Sequence, residues 1–191
     1  MKRRDIPFVE RMLPLQMTLL ETEDLVKKYS GRTVVNQVHI VVPQRSIVGL
    51  LGRNGAGKTT TFRMVIGMVI PDGGRVIFEG NDITKLPMYR RARLGMGYLS
   101  QEPSVFQRMT VEENLLAILE TMAISPTQRR QRAHDLIERF ALDEVTHSQA
   151  RFLSGGERRK LEIARAMVTN PSLILLDEPF SGVDPIAVEE L

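Results

Sequence analysis

Between two apolar segments the chain reads Gly52-Arg53-Asn54-Gly55-Ala56-Gly57-Lys58-Thr59. This stretch fits the phosphate-binding pattern G-x-x-x-x-G-K-[ST] without a mismatch. Residues 47–51 predict a strand before it, and residues 60–70 predict a helix after it whose first turn begins near Lys58. The glycines let the backbone N–H groups point inward around an anion, and the helix N-terminus adds roughly half a positive charge. A nucleoside triphosphate site is therefore predicted; the alternative is a glycine-rich turn with a chance Lys-Thr.

Two side chains at the end of the loop indicate how a triphosphate is held. Lys58 can reach the β- and γ-phosphates as a point charge, and the Thr59 hydroxyl is placed to ligate Mg²⁺. The residues assigned to nucleotide binding in this segment are Gly52, Asn54, Gly55, Ala56, Gly57, Lys58, Thr59 and Thr60.

Composition limits the class of protein. The chain has 191 residues, 42% of them hydrophobic and 26% charged, which suits one substantial domain with a buried core. No stretch approaches the roughly 20 apolar residues of a membrane-spanning helix. The net charge is +3 with the basic residues scattered, so nucleic-acid binding is not indicated. The absence of cysteine excludes a disulfide framework and a thiolate metal site.

The first part of the chain predicts a short extension followed by a small sheet. Residues 1–17 are interrupted by Pro7 and Pro14, which argues against a signal peptide, and we expect a loose extension there. Residues 18–28 alternate loosely between apolar and polar side chains, and residues 33–42 are rich in β-branched side chains, so both segments predict strands, joined at Ser30-Gly31. Further short strands are expected at residues 75–78 and 96–100, with a short helix at residues 86–94 between them.

The second part predicts helices and then a buried strand. Thr110 and Glu113 form a capping box that opens a helix, a second helix is expected at residues 127–140, and a third at residues 158–168. Residues 173–176 are continuously apolar, as expected of a parallel strand covered on both faces. The predicted fold is therefore α/β, with a mostly parallel sheet, a small antiparallel β subdomain and an inserted α-helical subdomain at about residues 102–158.

Two acids end the last apolar strand. Asp177 and Glu178 follow directly after it, and an unpaired buried carboxylate would cost more than one buried Leu or Ile contributes, about 1.5 to 3 kcal/mol. Asp177 fits the acid that holds Mg²⁺, usually through water, in phosphate-loop proteins. Glu178 is then free to orient or deprotonate an attacking water. The alternative is that both acids cap a strand end in solvent.

A second glycine-rich segment stands at the start of the third helix. Ser154 and Glu157 form a capping box, which a plain helix start would explain. The capping box does not explain Gly155 and Gly156, because glycine in the first turn lowers helix stability by nearly 1 kcal/mol relative to alanine. The glycine pair leaves the N-terminal N–H groups open to a ligand.

Three motifs together resemble those of one family. Residues 52–59, 153–157 and 173–179 resemble the Walker A, signature and Walker B motifs of ATP-binding cassette ATPases, in the same order and spacing. The resemblance covers residues 18–191 and implies a P-loop NTPase core of the RecA-like type. More narrowly, residues 97–103, 153–166 and 182–186 look like ATPase subunits of lipopolysaccharide export systems, although Ser100 stands where those more often have proline. ATPases of branched-chain amino acid importers are the nearest alternative.

The resemblance implies a transport ATPase that works as a head-to-tail dimer with bound ATP and Mg²⁺. Ser154, Gly155 and Gly156 would contact the γ-phosphate bound by the second copy, and Asp184 would cross the dimer interface. Gln101 would touch Mg²⁺ and the attacking water, and Tyr29 would stack on adenine.

The resemblance also implies membrane partners. A permease helix should dock near residues 101–111, where Phe106 is a candidate contact or, alternatively, a core residue. The chain itself would lie on the cytoplasmic face of the inner membrane, without direct contact with the transported substrate.

One part of the family pattern is absent from the sequence. The family carries a histidine on a later strand, whereas His39, His134 and His147 all precede Asp177. We therefore expect a cassette domain at residues 18–191 that is incomplete at its C-terminus. The alternative function is a nucleotide-binding module without turnover. Repair and translation cassettes are disfavoured, since neither long coiled-coil insertions nor a second cassette is visible.

Overall fold

A long β-hairpin begins the part of the chain that this computed structural model describes, residues 17–178. Strand β1 (Thr18–Tyr29) pairs antiparallel with β2 (Arg32–Pro43) across a turn at Ser30 and Gly31, which confirms the two predicted strands. The strands β3 (Gly73–Phe78) and β4 (Asn81–Asp82) complete a four-stranded sheet in the order β2-β1-β3-β4. The predicted small antiparallel sheet is thus present.

A parallel pair of strands brings the two later motifs together. Strand β5 (Met96–Leu99) pairs in parallel with β6 (Leu173–Leu176), and Leu99 lies opposite Leu176. The carboxyl ends of parallel strands meet at one edge of a sheet, which is where α/β proteins place their ligands. Residues 100–101 and 177–178 are consequently neighbours although they are distant in sequence.

The predicted strand at residues 47–51 is wrong for the described structure. Ile47 and Leu51 are almost fully exposed, at 101% and 93%, and no described strand pairs with this segment. An apolar run becomes a strand only when a neighbouring strand supplies its hydrogen bonds. For the same reason β6 is not covered on both faces within residues 17–178, and Leu176 remains 42% exposed.

The phosphate-loop helix, α1 (Lys58–Ile66), begins where the sequence predicts and ends earlier than predicted. Gly67 ends it in the left-handed conformation, with φ of 84°. A β-carbon on Gly67 would lie 2.7 Å from the Arg91 guanidinium, so only glycine fits there. Met64, Val65 and Ile66 are buried against the antiparallel sheet and the β5-β6 pair.

The other helices follow the sequence closely. Helix α2 (Met88–Arg93) lies within the predicted segment, while α3 (Val111–Leu119), α4 (Pro126–Arg139) and α5 (Gly155–Met167) each begin at a capping box. These three helices bury a core of their own, which includes Leu115, Leu136 and Leu161. Helix α5 contributes to this core, so the proposed subdomain boundary near residue 158 stays a prediction.

The most unusual buried group is the guanidinium of Arg91, which is only 1% exposed. It donates hydrogen bonds to four backbone carbonyls, those of Met64 (2.8 Å), Val65 (2.6 Å), Thr84 (2.8 Å) and Leu86 (2.8 Å). Burial lowers the pKa of Arg91 to about 10, so the side chain is charged at neutral pH. A cation at the C-terminus of α1 also opposes the negative end of the helix dipole. Arg91 therefore links α2 to the C-terminal end of α1 through these hydrogen bonds.

We expect Arg91→Met to destabilise the protein strongly. Hydrogen bonds to charged groups contribute about 1.5 to 3 kcal/mol each, and the substitution leaves buried carbonyls without donors, so a loss of about 3 kcal/mol in the free energy of unfolding is expected. Urea unfolding followed by circular dichroism measures it. Arg93→Met on the exposed side of α2 is the matched control and should barely move the midpoint. Equal midpoints for the two variants would contradict this role.

Within residues 17–178, none of the helices combines the length and the apolar character that crossing a bilayer requires.

Candidate active site

The phosphate loop is shaped by two glycines in the left-handed region. Gly55 has φ of 79° and Gly57 has φ of 91°. At Gly57 a β-carbon would lie 2.6 Å from the carbonyl oxygen of Val34 in β2, so the antiparallel sheet presses against the loop at this point. Glycine is required there both by conformation and by space. The sheet thereby fixes the position from which α1 starts.

The Lys58 ammonium is held at the loop by backbone oxygens. Its Nζ donates to the carbonyl of Gly52 at 2.7 Å and to that of Arg53 at 3.1 Å. These are neutral acceptors, and a phosphate oxygen would be a stronger, charge-assisted one. The side chain is thus positioned over the loop with a cation available to an anionic ligand.

Two of the three predicted metal-binding side chains meet. The Thr59 hydroxyl donates to Asp177 Oδ1 at 3.2 Å, which joins the start of α1 to the end of β6. Asp177 is only 2% exposed. The pair offers hard oxygen donors of the kind that Mg²⁺ prefers. No group of three or more acidic, histidine or cysteine side chains surrounds a metal position in residues 17–178.

A residue that the sequence did not single out also contacts Asp177. The Tyr98 hydroxyl donates to Asp177 Oδ2 at 3.4 Å. Burial, and then the neighbouring Asp177 charge, raise the pKa of Tyr98, so the phenol remains protonated and serves as a donor. The contact could be predicted only from the register of the parallel pair, in which Tyr98 lies opposite Leu175, two residues before Asp177.

The two predicted catalytic side chains also meet. Gln101 Nε2 donates to Glu178 Oε2 at 2.8 Å, and both side chains are exposed. Glu178 has φ of 48°, a left-handed conformation that is uncommon for a non-glycine residue. Such backbone conformations cluster at functional sites. The Glu178 side chain lies beyond the end of β6 and is exposed to solvent.

One cavity of about 370 Å³ brings the phosphate loop together with Gln101 and Glu178, while Asp177 lies outside its lining and reaches it through the hydrogen bond with Thr59. Its lining joins the phosphate loop, the start of α1 and the ends of β5 and β6, and consists of Val34, Asn54, Gly55, Gly57, Lys58, Thr59, Thr60, Gln101 and Glu178. A larger hollow of about 460 Å³ lies between α3 and α4 and shares no lining residue with it. That hollow contains no glycine-rich loop, so the first cavity is the candidate site.

Some predicted binding residues lie outside the cavity lining. Gly52 and Ala56 belong to the loop backbone, and Tyr29 at the end of β1 is 47% exposed, with the Lys27 ammonium 5.5 Å from its ring. Adenine stacking on Tyr29 stays a prediction. Asp184 lies outside the described residues.

The signature segment caps α5 without lining the cavity. The Glu157 backbone N–H donates to Ser154 Oγ at 3.3 Å, and Glu157 Oε2 accepts from the Ser154 N–H and hydroxyl, both at 2.7 Å. The bond from the Ser154 hydroxyl, and next that from its N–H, lower the pKa of Glu157 below its usual 4.5. The stabilisation is present above pH 4.5 and is lost as the pH falls through the lowered pKa. A β-carbon at Gly155 or Gly156 would meet nothing within 4 Å, so the fold of residues 17–178 does not require this pair.

Comparison with known sequences gives a consistent result. The family model described as ABC transporter matches residues 35–181. The lipopolysaccharide export system ATP-binding protein LptB of Haemophilus influenzae is 53% identical over 176 residues, which are 92% of this chain and 73% of that protein. The protein of the same name in Escherichia coli K12 is 51% identical over 176 residues, with the same two coverages.

Solved structures share the fold. A nucleotide-free ATP-binding cassette from an ABC transporter superimposes with a TM-score of 0.81 at 31% identity, over 91% of this chain and 74% of that one. An ATP-binding cassette of an ABC transporter in its ADP conformation gives 0.80 at 31% identity, with the same coverages. The α/β class and the phosphate-loop NTPase core are thereby confirmed.

Proposed function

This chain belongs to the ABC transporter family of ATP-binding proteins, and we propose that it hydrolyses ATP to drive the export of lipopolysaccharide from the inner membrane. The observation that carries the hydrolytic part is the single cavity that contains the phosphate loop, Gln101 and Glu178. The export substrate is supported by relatives named as lipopolysaccharide export proteins, at 51% and 53% identity over 92% of the chain. ATP binds with its phosphates at the amide-lined loop.

The reaction follows from where the side chains stand. A water attacks the γ-phosphorus, the bond from that phosphorus to the bridging oxygen of ADP breaks, and the products are ADP and phosphate. Glu178 takes the proton from the water as it attacks, and Gln101 orients the water and the carboxylate. Lys58 stabilises the charge that spreads over the β- and γ-phosphate oxygens. The proton on Glu178 passes to phosphate before the next turnover.

Thr59 and Asp177 would hold Mg²⁺ through their oxygens. When bound, the ion neutralises phosphate charge and orients the chain of phosphates. Gln101 is the third proposed contact, because it lines the same cavity.

A second copy of the chain is proposed to complete each site. Ser154, Gly155 and Gly156 present the N-terminus of α5, and the glycine pair is open to the surroundings. Backbone N–H groups at a helix N-terminus are suited to a phosphate. In a head-to-tail dimer these N–H groups would contact the γ-phosphate of the nucleotide bound by the partner. That contact would explain why two glycines stand at the start of α5, which the fold of one chain does not explain.

A permease helix is proposed to dock beside Phe106. The alternative of a core phenylalanine is wrong, since Phe106 is 47% exposed. The buried Asn114 fixes its backbone by accepting from the Phe106 N–H at 2.8 Å and donating to its carbonyl at 3.0 Å. The Arg165 guanidinium lies 4.4 Å from the ring centroid. An aromatic ring held outward in this way supports a partner at this position, and with a permease as that partner the chain would lie on the cytoplasmic face of the inner membrane.

The proposed function is tested by restoring export. In an Escherichia coli strain depleted of its own LptB, we expect this chain to restore the arrival of newly labelled lipopolysaccharide at the outer membrane. The Glu178→Gln variant, expressed to the same level, is the matched control and should leave export at the depleted level. Copurification should also recover transmembrane permease subunits with the chain.

Two results would contradict the proposal. Export that stays at the depleted level while the purified chain hydrolyses ATP would reject lipopolysaccharide as the substrate, and a change in labelled leucine uptake would favour a branched-chain amino acid importer. ATP binding without any phosphate release would identify a nucleotide-binding module instead.

A further inference from the structure

The environment of Asp177 is unusual for a buried carboxylate. It is 2% exposed, yet within residues 17–178 no lysine, arginine or histidine forms an ion pair with it. Its side-chain hydrogen bonds in that range come from two hydroxyl groups, Thr59 on Oδ1 and Tyr98 on Oδ2. Hydroxyl donors orient a carboxylate and bring no positive charge to it. Both oxygens are therefore oriented in a way that suits a divalent cation as a further partner.

The direction of the contact between Tyr98 and Asp177 follows from the chemistry of the two groups. The Tyr98 hydroxyl donates to Asp177 Oδ2 at 3.4 Å, because an ionised carboxylate can only accept a hydrogen bond.

Tyr98 also has a rigid base. It lies in the middle of β5, whose backbone is hydrogen-bonded in parallel to β6, and Asp177 N donates to the carbonyl of Leu99 at 3.0 Å. The phenol and the carboxylate are consequently fixed on adjacent strands at one edge. Thr59 alone would hold one carboxylate oxygen and leave the other free to rotate.

We propose that Tyr98 is a positioning residue that fixes the second oxygen of Asp177, so that the carboxylate is preset for a divalent cation on bound nucleotide. The inference rests on the proposed nucleotide site and adds to it a tyrosine that touches neither ATP nor metal. Partners of this kind typically change metal affinity by about 10- to 100-fold.

The test separates metal binding from nucleotide binding. In the full chain carrying Glu178→Gln, Mn²⁺ binding in the presence of ATP is titrated by electron paramagnetic resonance, and ATP binding in EDTA is measured with a fluorescent analogue. Tyr98→Phe is expected to weaken Mn²⁺ affinity by about 10-fold and to leave ATP affinity in EDTA unchanged.

Tyr89→Phe is the matched control. Tyr89 is 57% exposed on α2, and its ring contacts are with Arg90 and Arg93, so both affinities should remain unchanged. Unchanged Mn²⁺ affinity in Tyr98→Phe would overturn the inference, and so would equal losses of Mn²⁺ and EDTA-ATP affinity, which would indicate damage to the fold. Absence of ATP binding in the chain without the Tyr98 substitution would instead reject the nucleotide site itself. A chain that binds Mn²⁺-ATP as expected but restores no export would reject only lipopolysaccharide export.

Discussion

Replacing Glu178 with glutamine is expected to lower the rate of ATP hydrolysis by about 10²- to 10⁴-fold. Glutamine keeps the size of the side chain and its hydrogen bond with Gln101, which is 2.8 Å long in the native chain, but it cannot accept a proton from water. ATP affinity should be nearly unchanged, because Glu178 contributes to the transition state and little to ground-state binding. Phosphate release and nucleotide binding measured on the same preparation give both quantities.

Glu120→Gln is the matched control for this substitution. Glu120 is an exposed acid at the end of α3, it does not line the cavity, and its replacement should leave the rate unchanged. A Glu178→Gln variant that hydrolyses ATP as fast as the native chain would show that another group accepts the proton.

Replacing Lys58 with alanine is expected to lower ATP affinity by about 10- to 100-fold, since a charge-assisted hydrogen bond contributes about 1.5 to 3 kcal/mol and each 1.4 kcal/mol is tenfold in affinity. Among the described residues the ammonium donates to the carbonyls of Gly52 and Arg53, so we expect it to exchange these neutral acceptors for phosphate oxygens when ATP binds. Isothermal titration with ATP and Mg²⁺ measures the change.

Lys85→Ala removes an equal charge from an exposed position outside the cavity lining and serves as the control. An ATP affinity that stays at the native value in Lys58→Ala would mean that the loop lysine does not hold the phosphates. An equal loss of affinity in Lys58→Ala and Lys85→Ala would point to net charge rather than to a specific contact.

Sequence reasoning succeeded where local pattern decides the structure. A few adjacent residues determine each of three features: the glycine-rich loop, the capping boxes at Thr110 and Ser154, and the apolar strand that precedes Asp177. The same local patterns predict correctly that Thr59 and Gln101 lie beside the carboxyl ends of β5 and β6, because parallel strands end at the same edge of a sheet.

Sequence reasoning failed where distant neighbours decide the structure. Residues 47–51 have the composition of a strand, but a strand also needs a partner, and no described strand pairs with them. The apolar pattern predicts that helix α1 continues through residue 70, whereas Gly67 ends the helix against Arg91. Arg91 itself gave no signal, since arginine is ordinarily exposed. Tyr98 was missed because its contact with Asp177 depends on the register of β5 and β6.

The central claim is that the amide-lined loop and the acids after β6 act on one bound nucleotide. The most direct measurement is the binding of ATP to the folded chain with and without Mg²⁺, compared between the native sequence and Asp177→Asn. We expect saturable ATP binding that Mg²⁺ strengthens in the native chain, and loss of that Mg²⁺ effect in Asp177→Asn. A folded chain that binds no ATP in the presence of Mg²⁺, or an Mg²⁺ effect that survives Asp177→Asn, would contradict the claim.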